Sequence, residues 1–241
     1  MTEVTTFSVE PKRTLPHPPF DERMILAVEN AVRKAWEMLR GSHKVLLDTA
    51  EEDAVSETLQ RTLEELRVAG SCKAYDCSAF QTIARESKYR NYNGGTLDKM
   101  PDLIFTLAGQ PRPGVAESLY DGIFVECKLI DNKEKNVGRY VANGLIRFLI
   151  GDYAWAMPHA MMLAYVRTSR NMPATLADYL SATNRGRNNM DLFQVQRLPE
   201  ECLSATTTPT TYRTVHARTW FYPDTGANPG NIELRHLWLK T

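Results

Sequence analysis

The sequence has no concentration of cysteine that would define a metal site or a disulfide framework. Only four of its 241 residues are cysteines, at Cys72, Cys77, Cys127 and Cys202. They do not form Cys-x-x-Cys pairs, and the five histidines show no metal-ligand spacing and no partnering serine or cysteine motif. These absences argue against a zinc site and against a hydrolase triad. We therefore expect a reduced intracellular protein.

Long apolar runs are also missing from the sequence. No segment approaches the roughly 20 residues that a membrane-spanning helix needs, and residues 1–6 lack the basic-then-apolar layout of a signal peptide. Acidic and basic residues balance at 29 each, which argues mildly against a general nucleic-acid coat protein. The chain is long enough, with 43% hydrophobic residues, to build a sizeable core. A cytoplasmic globular protein without membrane association is expected.

Proline content and hydrophobic periodicity predict one domain that follows a short arm. Residues 1–20 contain four prolines and little apolar periodicity, so they should form an extended arm, and residues 21–241 a single domain. Apolar residues recur every three or four positions over residues 21–40 and again after Thr49, which predicts two helices. Thr49 and Glu52 fit a capping box. Glu52 also begins the core-facing stripe of its helix, so a capping role and a core-facing acid both stay open.

The middle of the chain predicts a sheet with a crossover connection. Two apolar runs indicate adjacent strands at residues 102–108 and 121–130, joined as an elongated hairpin. A helix is expected over residues 137–156, and the continuous apolar run at residues 160–166 suits a buried strand. Strand, helix and strand in this order form a crossover unit whose strands should be parallel. The polar tip at residues 91–95, with basic residues before it, could touch phosphates or could be a solvated loop.

The second predicted strand carries charges where a core strand should be apolar. Side chains alternate along a strand, so Glu126 and Lys128 share one face while Cys127 points to the opposite, wholly apolar face. Burying a charge costs free energy unless the charge is paired or holds a metal. These two charges therefore require partners. A Pro-Asp pair, Pro101 and Asp102, opens the preceding strand.

This pattern resembles the active-site signature of the PD-(D/E)xK nuclease superfamily, which includes restriction endonucleases and phage-defence nucleases. The matching residues are Pro101, Asp102, Glu126 and Lys128. The resemblance covers roughly residues 49–167 and implies a restriction-endonuclease-like α/β fold, in which a mixed β-sheet is flanked by helices and, here, extended by C-terminal strands. Residues 72–84 would have to supply the first strand of that core.

The resemblance also implies a division of roles. Mg²⁺, for which Mn²⁺ is expected to substitute, would be bound by Asp102, Glu126 and the backbone carbonyl of Cys127. Lys128 would position or deprotonate the attacking water and offset charge on the phosphate. Glu52 matches the additional acid that many superfamily members place on the helix before the sheet. The expected catalytic residues are Asp102, Glu126, Lys128 and Glu52.

The helix after the Glu-x-Lys strand departs from one branch of the superfamily. RecB-type members carry Gln and Tyr there, whereas this helix has no Gln but holds Arg147 and Tyr153, so a RecB-type exonuclease is disfavoured. Both residues could face a phosphate or pack on the helix surface. Further strands are expected at residues 212–220 and 232–239. Their basic residues could line a DNA groove or lie on an exposed sheet face: Arg213, His216, Arg218, Arg235 and His236.

The sequence thus predicts an Mg²⁺-dependent DNA endonuclease of restriction or phage-defence type. Cleaving both strands usually takes two sites, so a homodimer or larger homo-oligomer is expected. The alternative is a catalytically inactive nuclease-like subunit that serves as a nucleic-acid- or protein-binding module. An RNA-directed nuclease is a third option.

Overall fold

The computed structural model describes residues 14–132, 136–184, 186–202 and 210–241. Most of the predicted arm, residues 1–13, lies outside these ranges. The rest of the arm packs on the body of the protein. The backbone N–H of His17 donates to the carbonyl of Ala156 at 2.7 Å, and the guanidinium of Arg112 lies 4.1 Å from the ring centre of Phe20. In the described part of the chain, no helix is long and apolar enough to cross a membrane.

The described residues form a mixed α/β structure, as the sequence predicts. The helices are α1 (Glu22–Ser42), α2 (Lys44–Thr49), α3 (Glu52–Ala69), α4 (Asn136–Arg139), α5 (Ile146–Leu149), α6 (Met172–Ser181) and α7 (Asn189–Leu192). A 3₁₀ turn spans Ser118–Tyr120, and a π-helical segment, Tyr140–Leu145, joins α4 to α5. The strands are β1 (Leu103–Thr106), β2 (Gly122–Ile130), β3 (His159–Val166), β4 (Thr183–Asn184), β5 (Arg187–Asn188), β6 (Val195–Glu201), β7 (Tyr212–His216) and β8 (Ile232–Lys240).

Six of the strands form one mixed sheet in the order β1-β2-β3-β8-β7-β6, and β4 pairs with β5 as a separate ribbon. The predicted hairpin is confirmed, because β1 runs antiparallel to β2. The predicted crossover is also confirmed, because β2 and β3 are parallel. An irregular segment extends the sheet beyond β1, where Phe80 bridges to Leu107 and Ala84 to Ile104 in antiparallel fashion. The region from which a first strand was expected therefore lies beside β1 but forms only isolated bridges.

Helices cover both faces of this sheet. On one face α1 and α3 pack against β3, where the ring of Trp36 stacks on that of Tyr165 and the hydroxyl of Ser56 bonds the hydroxyl of Tyr165 at 2.9 Å. The opposite face is covered by the crossover helix, the term used here for the run α4, π-segment and α5. There the hydroxyl of Tyr140 bonds His236 of β8 at 2.7 Å. Glu126 and Lys128 lie on this second face.

Two helix predictions need correction. The segment after α1 forms the short helix α2, and Thr49 ends it by donating its hydroxyl to the carbonyl of Val45 at 2.8 Å. Helix α3 begins three residues later, at Glu52, without a side-chain cap. The predicted capping box is therefore wrong. Thr49 bonds backward into the preceding turn, and the carboxylate of Glu52 is engaged by β2, as described below.

The helix predicted to reach residue 156 instead ends at Leu149. Gly151 adopts a left-handed conformation with φ of +76°, and a Cβ there would come within 2.6 Å of the ring of Tyr92. Beyond it, Tyr153 and Trp155 are buried in an irregular turn. Their apolar periodicity reflects burial by tertiary contacts rather than a continued helix.

The basic residues of the C-terminal strands do not line a DNA groove, since four of the five are buried. Strand β8 is the fourth of the six strands, with β3 on one side and β7 on the other. Arg235 pairs with Glu29 at 2.9 Å and with Glu22 at 2.6 Å, and Arg218 donates to backbone carbonyls, including that of Met157 at 3.0 Å. The groove interpretation is therefore wrong for Arg218, Arg235, His216 and His236. The fifth residue, Arg213, is partly exposed and pairs with Glu200 and Glu233.

The buried histidines of β7 and β8 belong to one chain of hydrogen bonds. Nδ1 of His216 is 2.7 Å from the carbonyl of Phe193 and must donate to it, so Nε2 accepts the hydroxyl proton of Thr214. Nε2 of His236 then donates to the Thr214 oxygen, and Nδ1 of His236 accepts from Tyr140. Each tautomer is fixed by its neighbour. Burial lowers the pKa of His216 to about 4 and that of His236 to about 3.

Acid should weaken the fold through these histidines. The unfolded chain binds a proton at each histidine near its ordinary pKa of 6.5, whereas the folded chain resists protonation until far lower pH. The stability that depends on the neutral histidines is therefore fully present above about pH 6.5 and is lost as the pH falls toward 4. At about pH 5, which is 1.5 units below the ordinary pKa of 6.5, each of the two histidines lowers the free energy of unfolding by about 2 kcal/mol. This figure follows from 1.36 kcal/mol per pH unit.

Urea unfolding of the protein and of a His216→Asn variant, at about pH 7.5 and pH 5, measures this loss. Glu126 has the opposite effect, because its raised pKa favours the folded state in acid. This effect is the same in both proteins and therefore cancels in the comparison. The variant should lose about 2 kcal/mol less than the wild-type protein between the two pH values. An equal loss in both proteins would contradict this assignment.

Candidate active site

The candidate site forms where β1 and β2 part. Strand β1 begins at Leu103, opposite Val125, so the later N–H groups on that edge of β2 have no strand partner. Side-chain carboxylates take the place of a strand. Oδ2 of Asp102 accepts from the N–H of Cys127 at 2.6 Å, and Oε2 of Glu52 accepts from the N–H of Leu129 at 2.7 Å. The open strand edge thus brings two acids next to the Glu-x-Lys segment.

The ammonium group of Lys128 lies at the centre of the cluster. Its Nζ is 2.8 Å from Oε1 of Glu126, 2.9 Å from Oε1 of Glu52 and 2.7 Å from the carbonyl oxygen of Cys127. Burial opposes the charged form, but the carboxylates of Glu126, Glu52 and Asp102 outweigh it and raise the pKa of Lys128. Lys128 is therefore a charged side chain, fixed in position by its three oxygen partners, that neutralises part of the acidic cluster.

Glu126 is the least satisfied member of the cluster. Its side chain is 2% exposed, and Oε2 is buried without a hydrogen-bond partner in the part of the chain that the structure describes. Burial, and next the neighbouring carboxylate of Asp102, raise the pKa of Glu126 to about 7, against the pull of Lys128. Burial also raises the pKa of Asp102. Two carboxylates thus lie close together in a low-dielectric site, with more negative charge than one ammonium offsets.

The crossover helix closes over this cluster through a glycine. A Cβ on Gly144 would lie 2.8 Å from Cε of Met162, 3.4 Å from Cγ of Glu126 and 3.5 Å from Cγ of Lys128. A side chain at this position would displace the flexible end of Met162, so glycine lets the helix backbone lie directly against Glu126 and Lys128. Gly144 belongs to the π-helical segment, and such segments occur frequently at functional sites.

Arg147 and Tyr153 lie at the rim of the site. Nη1 of Arg147 is 3.7 Å from Oε1 of Glu126 and donates to the hydroxyl of Tyr153, which donates to the carbonyl of Met100 at 2.7 Å. The side chain of Arg147 is 41% exposed. Simple packing on the helix surface does not describe these contacts. Tyr153 holds a partly solvated guanidinium beside Glu126.

The oxygen atoms of the cluster fit a hard divalent cation. Within the described ranges, no three side chains of His, Cys, Asp or Glu converge as a metal-binding group. Mg²⁺ needs fewer, since it is often held by one or two carboxylates and keeps several waters. Asp102 and Glu126 supply carboxylates, the Cys127 carbonyl lies on the same open edge, and the unpartnered Oε2 of Glu126 is an acceptor that a cation would satisfy.

Glu52 contacts the site through an ion pair with Lys128. One of its oxygens accepts from Lys128 and the other from Leu129, so the carboxylate of Glu52 joins the cluster and does not cap the helix. Both oxygens are already engaged, so Glu52 fits a positioning role better than direct binding of a metal. No local pattern in the sequence indicates that the Leu129 N–H is its partner.

The glycine-rich tip does not join the site as a group of unpaired cations. Arg85 pairs with Glu86, Lys88 with Asp98 and Arg90 with Glu117. These contacts favour the interpretation of a solvated loop. The tip itself is anchored on the body by Tyr92, whose ring stacks on that of Trp220 with centres 4.2 Å apart.

Comparisons of the chain with protein-family models, with curated proteins and with solved structures found no match. Function therefore has to be inferred from the residues of the cluster and from their geometry. The decisive features are a buried carboxylate with one oxygen unpartnered among the described residues, a second acid beside it and the ammonium of Lys128 at the edge where two strands part.

Proposed function

We propose that this protein is an Mg²⁺-dependent DNA endonuclease of restriction or phage-defence type. The observation that carries the proposal is the placement of Asp102 and Glu126 beside Lys128, with Oε2 of Glu126 buried and unpartnered within the described residues. In a purely structural ion pair the buried acceptors usually have hydrogen-bond partners. An acceptor left without a partner costs about 1–3 kcal/mol, and that cost is explained if the site binds a cation during function.

The residues of the cluster have different roles in the proposed reaction. A divalent cation held by Asp102, Glu126 and the Cys127 carbonyl would supply Lewis-acid polarisation of the scissile phosphate and would make water more acidic. The raised pKa of Lys128 keeps it protonated. In this protonated form Lys128 would hold the attacking water and offset charge on the phosphate. Glu52 fixes the position of Lys128 at 2.9 Å.

A second candidate function is a catalytically inactive nuclease-like module that binds nucleic acid or another protein. It is favoured by the same ammonium group, because Lys128 already satisfies acceptors on Glu126, Glu52 and Cys127 without any metal. Such a module would keep its fold and would show no dependence on divalent cations.

Incubation of the purified protein with supercoiled plasmid DNA tests the proposal. Nicked or linear product should appear with Mg²⁺ or Mn²⁺ and should be absent with EDTA. A parallel reaction with RNA tests the RNA-directed alternative. Intact plasmid under all metal conditions would refute the DNA endonuclease and leave the inactive module. Cleavage of both strands usually takes two sites, so we also propose a homodimer or larger homo-oligomer, which light scattering of the purified protein measures.

Arg147 should contribute to substrate binding in this reaction. Its partly exposed guanidinium lies at the rim beside Glu126, where it can donate to a phosphate oxygen. We expect Arg147→Ala to reduce kcat/KM for DNA roughly 10- to 100-fold, in line with about 1.5–3 kcal/mol for a charge-assisted hydrogen bond. Most of the loss should appear in KM, and Arg147→Lys should restore only part of it, because lysine lacks the planar fork.

Steady-state cleavage kinetics of both variants measure this effect. Lys88→Ala is a matched control, since it removes a surface cation that already pairs with Asp98. A KM unchanged in Arg147→Ala, or an equal rise in the control, would refute the role of Arg147.

A further inference from the structure

A surface groove with a volume of about 880 Å³ lies between the crossover helix and α6. Three arginines line it: Arg139 at the end of α4, Arg170 after β3, and Arg187 in β5. The groove also contains the carboxylate of Asp178, so three positive charges face one negative charge. Apolar and aromatic surface from Val137 and Tyr179 completes the wall.

These arginines differ from the other cations near the site. Arg139, Arg170 and Arg187 have no ion pair or hydrogen bond from their side chains within the described residues. The cations of the glycine-rich tip, in contrast, are each paired with an acid. Three unpaired guanidinium groups around one groove constitute a surface that favours an anionic ligand, because arginine binds phosphate oxygens through two parallel hydrogen bonds.

The groove and the candidate active site share the π-helical segment. Asn143 lines the groove, whereas the next residue, Gly144, faces Glu126 and Lys128 on the inner side of the same segment. The groove therefore lies on the outer side of the segment whose inner side covers the candidate site. A single phosphate ion would leave most of the groove empty, and the apolar wall suits sugar rings between successive phosphates.

We propose that this groove binds the phosphodiester backbone of the nucleic-acid substrate next to the cleaved bond. The assignment of the ligand as substrate rests on the proposed function, whereas binding of the backbone can be tested without catalysis. Because each neutralised phosphate releases counterions, the affinity of such a groove falls steeply with salt concentration.

Equilibrium binding of a short DNA duplex in EDTA, over a series of NaCl concentrations, tests the groove. The triple variant Arg139→Ala/Arg170→Ala/Arg187→Ala should bind at least tenfold more weakly at low salt. Its slope of log affinity against log salt should also be smaller by about 2–3, at roughly 0.9 for each lost phosphate contact. Arg23→Ala/Arg40→Ala/Lys73→Ala is the matched control, since it removes three exposed cations elsewhere and should bind as the wild-type protein does.

The outcomes separate this inference from the proposed function. Equal binding of both duplexes by the triple variant and the wild-type protein, equal losses in both triple variants, or no binding of either a DNA or an RNA duplex would overturn the groove assignment. An RNA duplex of the same length serves as a second arm, and binding that depends on the groove for RNA alone would identify RNA as the source of the backbone. Absence of cleavage by a protein whose duplex binding depends on the groove would refute the endonuclease and leave the groove intact.

Discussion

Replacing Glu126 by glutamine should abolish Mg²⁺-dependent cleavage of plasmid DNA and at the same time stabilise the protein. We expect the cleavage rate to fall by at least roughly 10²–10³-fold, the loss typical when one group that stabilises charge is removed from a preorganised site. Glutamine keeps the shape of the side chain, so the fold should persist. Circular dichroism and plasmid cleavage by the same preparation measure the two properties.

The gain in stability follows from the pKa of Glu126, which burial and Asp102 raise to about 7. Ionised Glu126 therefore favours the unfolded state, where its pKa is ordinary, and this penalty grows as the pH rises from about 4.5 to 7. The penalty is about 3 kcal/mol above pH 7, at 1.36 kcal/mol per unit. Urea unfolding at about pH 8 should show the variant to be more stable by up to that amount, with no difference near pH 4.5.

Glu29→Gln provides the matched control, because Glu29 is also buried but pairs with Arg235 at 2.9 Å and with Arg33 at 3.2 Å. Breaking this pair should cost roughly 3–5 kcal/mol of stability and leave the cleavage rate per folded molecule unchanged. The two variants thus have opposite profiles. Glu126→Gln with normal cleavage, or with a loss of stability like that of Glu29→Gln, would mean that Glu126 is a structural residue.

Replacing Lys128 by methionine should destabilise the fold as well as stop cleavage. Methionine keeps the apolar length of the side chain but leaves Glu126, Glu52 and Asp102 without the ammonium that offsets their charge. Removal of one partner from a buried ion pair typically costs about 3–5 kcal/mol. The cost should be largest near pH 8 and should shrink in acid, since protonation of Glu126 removes the repulsion.

A second substitution distinguishes charge repulsion from lost packing in this variant. Lys128→Met/Glu126→Gln should recover much of the stability at about pH 8, because it removes a carboxylate that no longer has a cation. Thermal unfolding with Mg²⁺ gives an independent check, since bound metal should raise the Tm of Lys128→Met more than that of the wild-type protein. A loss that is independent of pH and is not recovered by the double variant would point to packing alone.

The sequence predicted the charged cluster of the candidate site better than its surroundings. Alternation along a strand placed Glu126 and Lys128 on one face, and the Pro-Asp strand placed Asp102 next to them, because register and pairing follow directly from local pattern. The position of Glu52 was foreseen, but its Leu129 partner was not. The partner depends on where β1 ends, and strand ends are set by tertiary contacts.

The interpretation of the C-terminal basic residues failed for a physical reason. Arg218 and Arg235 alternate with apolar residues in a way that is typical of an exposed strand face. The buried carboxylate of Glu29 on α1 and the carbonyl oxygens of nearby turns satisfy them instead. Partners so distant in the chain leave no local signal, so their burial could not be read from residue type. The end of the crossover helix at Leu149 was also not predicted. Tyr153 and Trp155 continue the apolar periodicity of the helix, although tertiary contacts bury their rings in an irregular turn.

The most direct test of the central claim is equilibrium binding of Mn²⁺, followed by the electron paramagnetic resonance signal of the unbound ion. The wild-type protein should bind Mn²⁺, Mg²⁺ should compete for the site, and the Glu29→Gln variant should bind equally well. Asp102→Asn and Glu126→Gln should each lose that binding. Failure of the wild-type protein to bind, or equal binding by the Asp102 and Glu126 variants, would contradict a metal-dependent site at this cluster.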